Sequence, residues 1–219
     1  MSRLKYASLA AIILLTSCQR DSAENTVSSR SQSTKPHLAI APLIDNTKQS
    51  IAWSLSDEIT YSLFYKLDQK DKFHIEDPQK TLSVTRKLQS SNDPFSDDLK
   101  WVKRSFSKND FVVFLEMLQH EEVPNLYSST DKPQDCSSQL KMAMRVVLVD
   151  VRSEQPKVIL QEIVNDTHFI PKQFNQYNFH QASWGSEEFY ISPLGMAHSQ
   201  FLKEISSRIE DYIQLAQSV

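Results

Sequence analysis

Residues 140–151 read LKMAMRVVLVDV, and this stretch decides the fold class. Apolar side chains occupy both alternating faces of the stretch, and Arg145 interrupts one of them. A strand of this kind is covered by other elements on both sides of its sheet. The polar turn at residues 152–157 leads into a second apolar run at 158–164, which predicts a β-hairpin.

The segments on either side of this hairpin alternate between strand and helix periodicity. The order β-α-β-α-(α)-β-β-β-α follows, and it predicts an α/β (α+β) fold with a mixed sheet of about five strands packed with helices. The predicted strands are 37–44, 73–75, 111–118, 140–151 and 158–164, and the predicted helices are 51–67, 78–88, a helix starting at Ser96, and 193–216.

The first predicted helix shows the clearest four-residue repeat in the N-terminal half of the chain, with Ser50 as its expected N-cap. Asp57 and Glu58 lie on this helix and are expected on its solvated face rather than as a carboxylate pair for acid and base chemistry. His120, which is followed by two glutamates, lacks the four-residue spacing that places two histidines on one helix face, so no metal site is predicted there.

Four segments carry a family resemblance. They resemble, in this order, the superfamily that includes the TolB N-terminal domain, the curli-secretion lipoprotein CsgG and the peptidoglycan-synthase activator LpoB. The chain departs from that pattern where SKND at 107–110 replaces the glycine that usually precedes the third strand. The segments are LAIAPLIDNT at 38–47, WSLSDEITYSLFYKL at 53–67, SKNDFVVFLEM at 107–117 and VVLVDVRSEQPKVI at 146–159.

The N-terminus is basic, then apolar over residues 7–15, and closes in LLTSC at 14–18. This order resembles the signal peptide and lipobox of bacterial lipoproteins. The resemblance implies that a diacylglycerol is attached to the Cys18 thiol, that the chain is cleaved between Ser17 and Cys18, and that acyl chains hold the mature protein at a membrane. An ordinary cleaved signal peptide, or a cytosolic protein with an apolar N-terminus, is the alternative.

The residue after Cys18 is Gln19 rather than aspartate, which by the enteric sorting rule implies the outer membrane, with the inner membrane as the other possibility. Residues 19–36 are polar and serine-rich and cannot bury a core, so they predict a flexible tether. The expected organisation is a cleaved signal peptide (1–17), a lipidated cysteine with its tether (18–36), and a single periplasmic domain (37–219).

Composition excludes several classes of function. The chain has two glycines, so neither a phosphate-binding P-loop nor a dinucleotide fingerprint can be written, and no cofactor is expected. Removal of residues 1–17 would move the formal net charge from −3 to −5, which gives no indication of nucleic-acid binding. Cys136 lies in a polar segment, where we expect either an exposed thiol able to pair with another chain or one without a role.

Residues 169–190 are the segment that suggests more than scaffold, because aromatic side chains alternate with Asn, Gln and His. Aromatic residues with polar tips are enriched at protein interfaces. Tyr177, Trp184 and Tyr190 are therefore predicted to form part of a partner surface, and a crossover that packs its aromatics on the sheet is the alternative.

The predicted function is that of a non-enzymatic accessory protein bound to an unidentified partner in a cell-envelope machine, with the peptidoglycan-synthase activator role that the resemblance implies as one form of it. A subunit of an oligomeric export channel is the first alternative. Neither 124–138 nor 171–192 alternates like a membrane strand, which disfavours that alternative. An envelope hydrolase is the second alternative, although no catalytic motif supports it.

Overall fold

Residues 140–150 lie at the centre of the sheet, within β5 (Ser138–Asp150). It lies antiparallel between β4 (Phe111–Pro124) and β6 (Lys157–Ile170), and each pairing extends over most of the strand length. Both neighbours are longer than their sequence pattern predicts, because polar residues continue the ladders beyond the apolar runs. The computed structural model describes residues 35–47, 51–88, 92–126, 132, 136–174 and 183–218.

The other half of the sheet is parallel. β1 (His37–Ile40) pairs with β4 on one side and with β3 (His74–Ile75) on the other, giving the order β3-β1-β4-β5-β6. The strand predicted at 37–44 is divided, since Pro42 interrupts it and β2 (Ile44–Asp45) pairs separately with the far end of β4.

Two helices cover one face of the sheet and two short helices lie against the other. α1 (Leu55–Asp68) and α5 (Pro193–Gln217) pack on the first face. The five-residue α4 (Glu187–Ile191), which directly precedes α5 and was not predicted, packs on the same face. α2 (Pro78–Thr85) and α3 (Lys100–Ser105) lie on the second.

We call the apolar cluster under α1, α4 and α5 the large core; it includes Leu38, Ile59, Phe111, Met144, Phe189 and Phe201. The cluster under α3, against which residues of α2 also pack, is the small core. Its buried members are Ala39, Ala41, Leu99, Trp101, Val102, Phe106, Val112, Phe114, Val147, Val149 and Val151.

Two helix starts differ from prediction. α1 begins at Leu55 because the Ser54 side chain accepts the N–H of Asp57 at 3.1 Å, whereas the predicted cap Ser50 lies outside the described residues. α3 begins at Lys100 rather than Ser96, because the side chain and carbonyl of Asp93 hold the next residues in a turn.

The break between β1 and β2 is tied to α1. The hydroxyl of Thr60 accepts the N–H of Leu43 at 3.0 Å, and the hydroxyl of Ser56 donates to the Leu43 carbonyl at 2.6 Å. These bonds satisfy backbone groups that leave the sheet ladder at this point, so they fix α1 over the large core.

The predicted fold class is confirmed: a mixed sheet, of six strands rather than about five, packed with helices on both faces. Within the described ranges, none of the helices combines the length and the apolar character needed to cross a membrane.

Candidate functional site

A chain of hydrogen bonds between ionisable side chains runs through the large core. Glu58 Oε1 lies 2.5 Å from His198 Nδ1, and His198 Nε2 lies 2.7 Å from His120 Nε2. Trp53 Nε1 donates to the other carboxylate oxygen of Glu58 at 2.7 Å. The side chains of Glu58, His198 and His120 are 1%, 2% and 2% exposed, so the chain is buried.

Three elements bring these residues together. Glu58 lies one turn after Leu55 and beside Ile59, on the buried face of α1, so the expectation that it is solvated is wrong, while Asp57 is exposed as expected. His198 stands one turn before Leu202 on the buried face of α5.

A β-bulge places the third member, His120. The β4–β5 register shifts between Met117 and Gln119, so that His120 pairs with Met142 and faces α5. Without the bulge, strand alternation from Met117 would turn residue 120 to the opposite face. The bulge thus re-aims one side chain toward the buried chain, a common use of this feature.

The hydrogen bonds satisfy the buried carboxylate. A buried carboxylate requires a cation or several donors, and Glu58 accepts from His198 Nδ1 and from Trp53 Nε1. Where the Nε2 atoms of His198 and His120 meet, one donates and the other accepts, so at least one of the two imidazoles is neutral. Burial, followed by the nearby His198, lowers the pKa of His120 to about 4, so His120 is neutral at pH 7.

Both ring nitrogens of His198 are therefore occupied by protein groups. A general base needs a ring nitrogen that reaches the substrate proton, and this arrangement leaves His198 none to offer. The hydrogen bonds of Glu58, His198 and His120 connect α1, α5 and β4. Those to the Glu58 carboxylate are charge-assisted and therefore stronger than neutral hydrogen bonds.

A cleft of about 310 Å³ opens directly beside this chain, between α1, α4 and α5. Glu58 and His198 contribute to its wall. Its remaining described lining residues are Ser62, Tyr65, Lys66, Gln69, Phe189, Tyr190, Gly195, Ser199 and Leu202.

The α4–α5 corner shapes one wall of the cleft. The Ser192 hydroxyl accepts the N–H of Gly195 at 3.0 Å and donates to the carbonyl of Phe189 at 2.7 Å. A Cβ on Gly195 would lie 2.0 Å from that same carbonyl oxygen. Glycine is thus required here for close approach of two backbones, which keeps Phe189 beside His198 and Tyr190 at the cleft.

The residues predicted as a partner surface separate in the structure. Tyr190 is 57% exposed and lines the cleft. Trp184 is half-buried, packs on the large core, and its ring centroid lies 6.1 Å from that of Tyr61. Tyr177, Ser17 and Cys18 lie outside the described residues.

Other exposed apolar side chains occur beside Tyr190. Tyr65 lines the cleft on the α1 side and is 56% exposed. Ile191, next to Tyr190 in sequence, and Met196, in the first turn of α5, are 73% and 48% exposed. We call Tyr65, Tyr190, Ile191 and Met196 the exposed apolar group.

Cys136 does not fit the expectation of an exposed thiol. Its side chain is buried just before β5 begins. Polar neighbours in the sequence suggested an accessible loop, but entry into the central strand draws this residue inward. Pairing of Cys136 with another chain would require the strand end to open, so this expectation is corrected.

Comparison with known proteins shows the fold and a family. The chain is similar to the hypothetical protein CT253 from Chlamydia trachomatis, with 21% identity, a TM-score of 0.64, and coverage of 82% of this chain and 98% of that one. At this identity the similarity shows a shared fold. No curated protein sequence matches.

Weaker structural similarities include a lipoprotein and the C-terminal domain of LpoB. Lipoprotein GNA1162 from Neisseria meningitidis matches at 11% identity and a TM-score of 0.42, covering 78% of this chain and 99% of that one. The LpoB C-terminal domain from Salmonella enterica matches at 12% identity and a TM-score of 0.34, covering 64% and 87%. TM-scores this low carry no functional argument.

One family model matches residues 24–217, which include the described domain from β1 to the end of α5. The match therefore covers Glu58 and His198 on the helices, His120 on the bulged strand, and the residues that line the cleft. The chain belongs to the family of unknown function DUF7499.

Proposed function

We propose that this protein is a lipid-anchored accessory protein of the bacterial cell envelope, which faces the periplasm and binds a partner protein through the surface around the α1–α4–α5 cleft. The anchor is the Cys18 lipid, and the sorting rule assigns it to the outer membrane. The tether is residues 19–36, and the folded domain follows it.

The observation that carries the proposal is the exposed apolar group. Tyr65, Tyr190, Ile191 and Met196 each leave about half or more of the side chain in solvent. Exposed aromatic and aliphatic side chains concentrated at one place commonly mark an interaction site. The buried Glu58–His198–His120 chain supports them from below, because it holds α1 and α5 together and so keeps the cleft walls in place.

The proposed anchor would keep this surface close to a membrane. A domain tied to a membrane through a short polar tether meets partners in or near that membrane at high effective concentration. Regulation of an envelope machine, such as the peptidoglycan-synthase activation implied by the LpoB resemblance, is one form that such binding would take.

Anchoring is tested by Cys18→Ser in cells. We expect the variant to fold, to keep its signal peptide uncleaved or be processed elsewhere, and to leave the outer-membrane fraction, because the thiol that receives the lipid is gone. Cys136→Ala is the matched control and should fractionate like the wild-type protein. Retention of Cys18→Ser in the outer-membrane fraction would contradict the proposed anchor.

Binding is tested by Tyr190→Ala combined with crosslinking in cells. The expected result is loss of the crosslinked partner with a melting temperature close to that of the wild-type protein, since Tyr190 is largely exposed. Tyr212→Ala, which removes a comparably exposed tyrosine from the other end of α5, is the control and should retain the partner. Equal capture by both variants would count against this surface.

A further inference from the structure

The α1–α4–α5 cleft carries a positive charge that the protein itself does not neutralise. Lys66 lines the cleft, and its ammonium donates to the Ser199 hydroxyl at 3.0 Å. An ammonium has three donors, so two remain for another acceptor. Among the described residues, no carboxylate forms an ion pair with Lys66.

The residues around Lys66 make an unpaired positive charge there less favourable. Burial, then Lys203, then Lys70 lower the pKa of Lys66, so the folded protein disfavours the charged form of this side chain. The one carboxylate among the described lining residues is Glu58, and its two oxygens are taken by His198 and Trp53. Lys70 is itself paired with Glu210 at 2.8 Å, so an acceptor with a negative charge would chiefly relieve the repulsion between Lys66 and Lys203.

We infer that the cleft binds an acidic segment of a partner polypeptide, with a carboxylate accepting hydrogen bonds from Lys66 and Ser199. This inference rests on the proposed function and adds the chemistry of the partner. The Lys66 ammonium and the Ser199 hydroxyl lie on facing helices, so one carboxylate can contact both.

The rim of the cleft favours a polypeptide over a small anion. Tyr65 and Tyr190 line opposite sides, on α1 and α4, and are both more than half exposed. Rings in these positions offer apolar contact to the residues that flank the carboxylate, whereas a free phosphate or acetate ion would leave them unused. Ile191 and Met196, which follow the lining residues Tyr190 and Gly195 in sequence, are exposed as well.

The test selects displayed random peptides on the full-length lipidated protein in detergent micelles. We expect the selected peptides to share an aspartate or glutamate between apolar residues. Replacement of that residue by its amide should weaken binding at least about tenfold, as should Lys66→Met in the protein. The two changes together should cost no more than either alone, because each removes the same contact.

Lys100→Met is the matched control, because it removes an exposed lysine from α3 on the opposite face of the sheet. It should bind the selected peptide as the wild-type protein does. Melting temperatures of both variants report whether the fold is intact.

Selection of no peptide, selection of peptides without an acidic residue, or equal binding by Lys66→Met would each overturn the inference. Displacement of the peptide by inorganic phosphate, at an ionic strength where sodium chloride has no effect, would indicate an anion site and would also overturn it. None of these results bears on the anchor, which fails separately if Cys18→Ser stays in the outer-membrane fraction.

Discussion

The two faces of the sheet are buried in different ways. The small core is made of apolar side chains such as Phe106 and Phe114, whose rings meet edge to face at 6.1 Å. The large core encloses the Glu58–His198–His120 chain among its leucines and phenylalanines. The small-core side of the sheet has an ion pair too, Glu116 with Arg145 at 2.9 Å, but a third of the Arg145 side chain is exposed. Glu58 and the two histidines are at most 2% exposed, so the more deeply buried polar groups lie in the large core.

This difference concerns how the two faces hold their elements in place. A buried ion pair is weak evidence for added stability, because desolvation offsets most of the attraction between the charges. Here the hydrogen bonds of Glu58, His198 and His120 fix the relative position of α1, α5 and β4 beside the cleft. The small core supports the sheet from the opposite side.

The largest effect is expected when the buried charge loses its partner. Glu58→Ala would leave both His198 Nδ1 and the Trp53 N–H without their acceptor in the core, at a cost of about 3–5 kcal/mol in the free energy of unfolding. Asp57→Ala removes the same charge from the preceding, exposed position and should cost less than about 1 kcal/mol. Urea denaturation at neutral pH measures both.

Similar urea midpoints for the two variants would show that the buried charge contributes no more than an exposed one. In that case the two faces would be equivalent, and the large core would be an ordinary apolar core that happens to contain polar atoms.

The burial of Glu58 also shows why the sequence predicted one face better than the other. The quoted stretch has apolar residues on both alternating faces, so β5 and its coverage by helices could be predicted from pattern alone. The final helix was predictable for the same reason, since its apolar residues recur over six turns.

The site was less accessible to that reasoning. Glu58 and His198 interrupt apolar faces at helical spacing, three residues after Leu55 and four after Leu194, and this interruption was the available signal. Nothing in the local pattern links them to each other, because 140 residues separate them. His120 faces the helices through a bulge, and a one-residue shift in register cannot be derived from alternation.

The second effect is a dependence of stability on pH that only the large core should show. The folded protein binds a proton at His120 with a pKa of about 4, against 6.5 for an unperturbed histidine. The unfolded chain therefore takes up this proton first as the pH falls from 6.5 to 4, and stability declines across that window by up to about 3 kcal/mol. Above pH 6.5 this contribution is constant.

His120→Gln isolates this contribution, because glutamine can still accept from His198 but does not titrate. We expect the variant to lose less stability than the wild-type protein between pH 6.5 and 4. His74→Gln, at an exposed histidine on β3, should follow the wild-type profile. Parallel profiles for all three proteins would mean that His120 does not titrate differently in the two states.

The smallest effect compares two tryptophans, one on each face. Trp53 Nε1 donates to Glu58 at 2.7 Å, whereas Trp101 Nε1, in the small core, has no hydrogen-bond partner among the described residues. Trp→Phe removes the indole N–H and a similar volume at either position. Trp53→Phe should therefore cost about 1.5 kcal/mol more than Trp101→Phe, since only the first leaves a carboxylate oxygen without its donor. Chemical denaturation of both variants measures the difference. An equal or larger loss for Trp101→Phe would show that ring packing outweighs the hydrogen bond, and the contrast between the faces would then rest on Glu58 and the histidines alone.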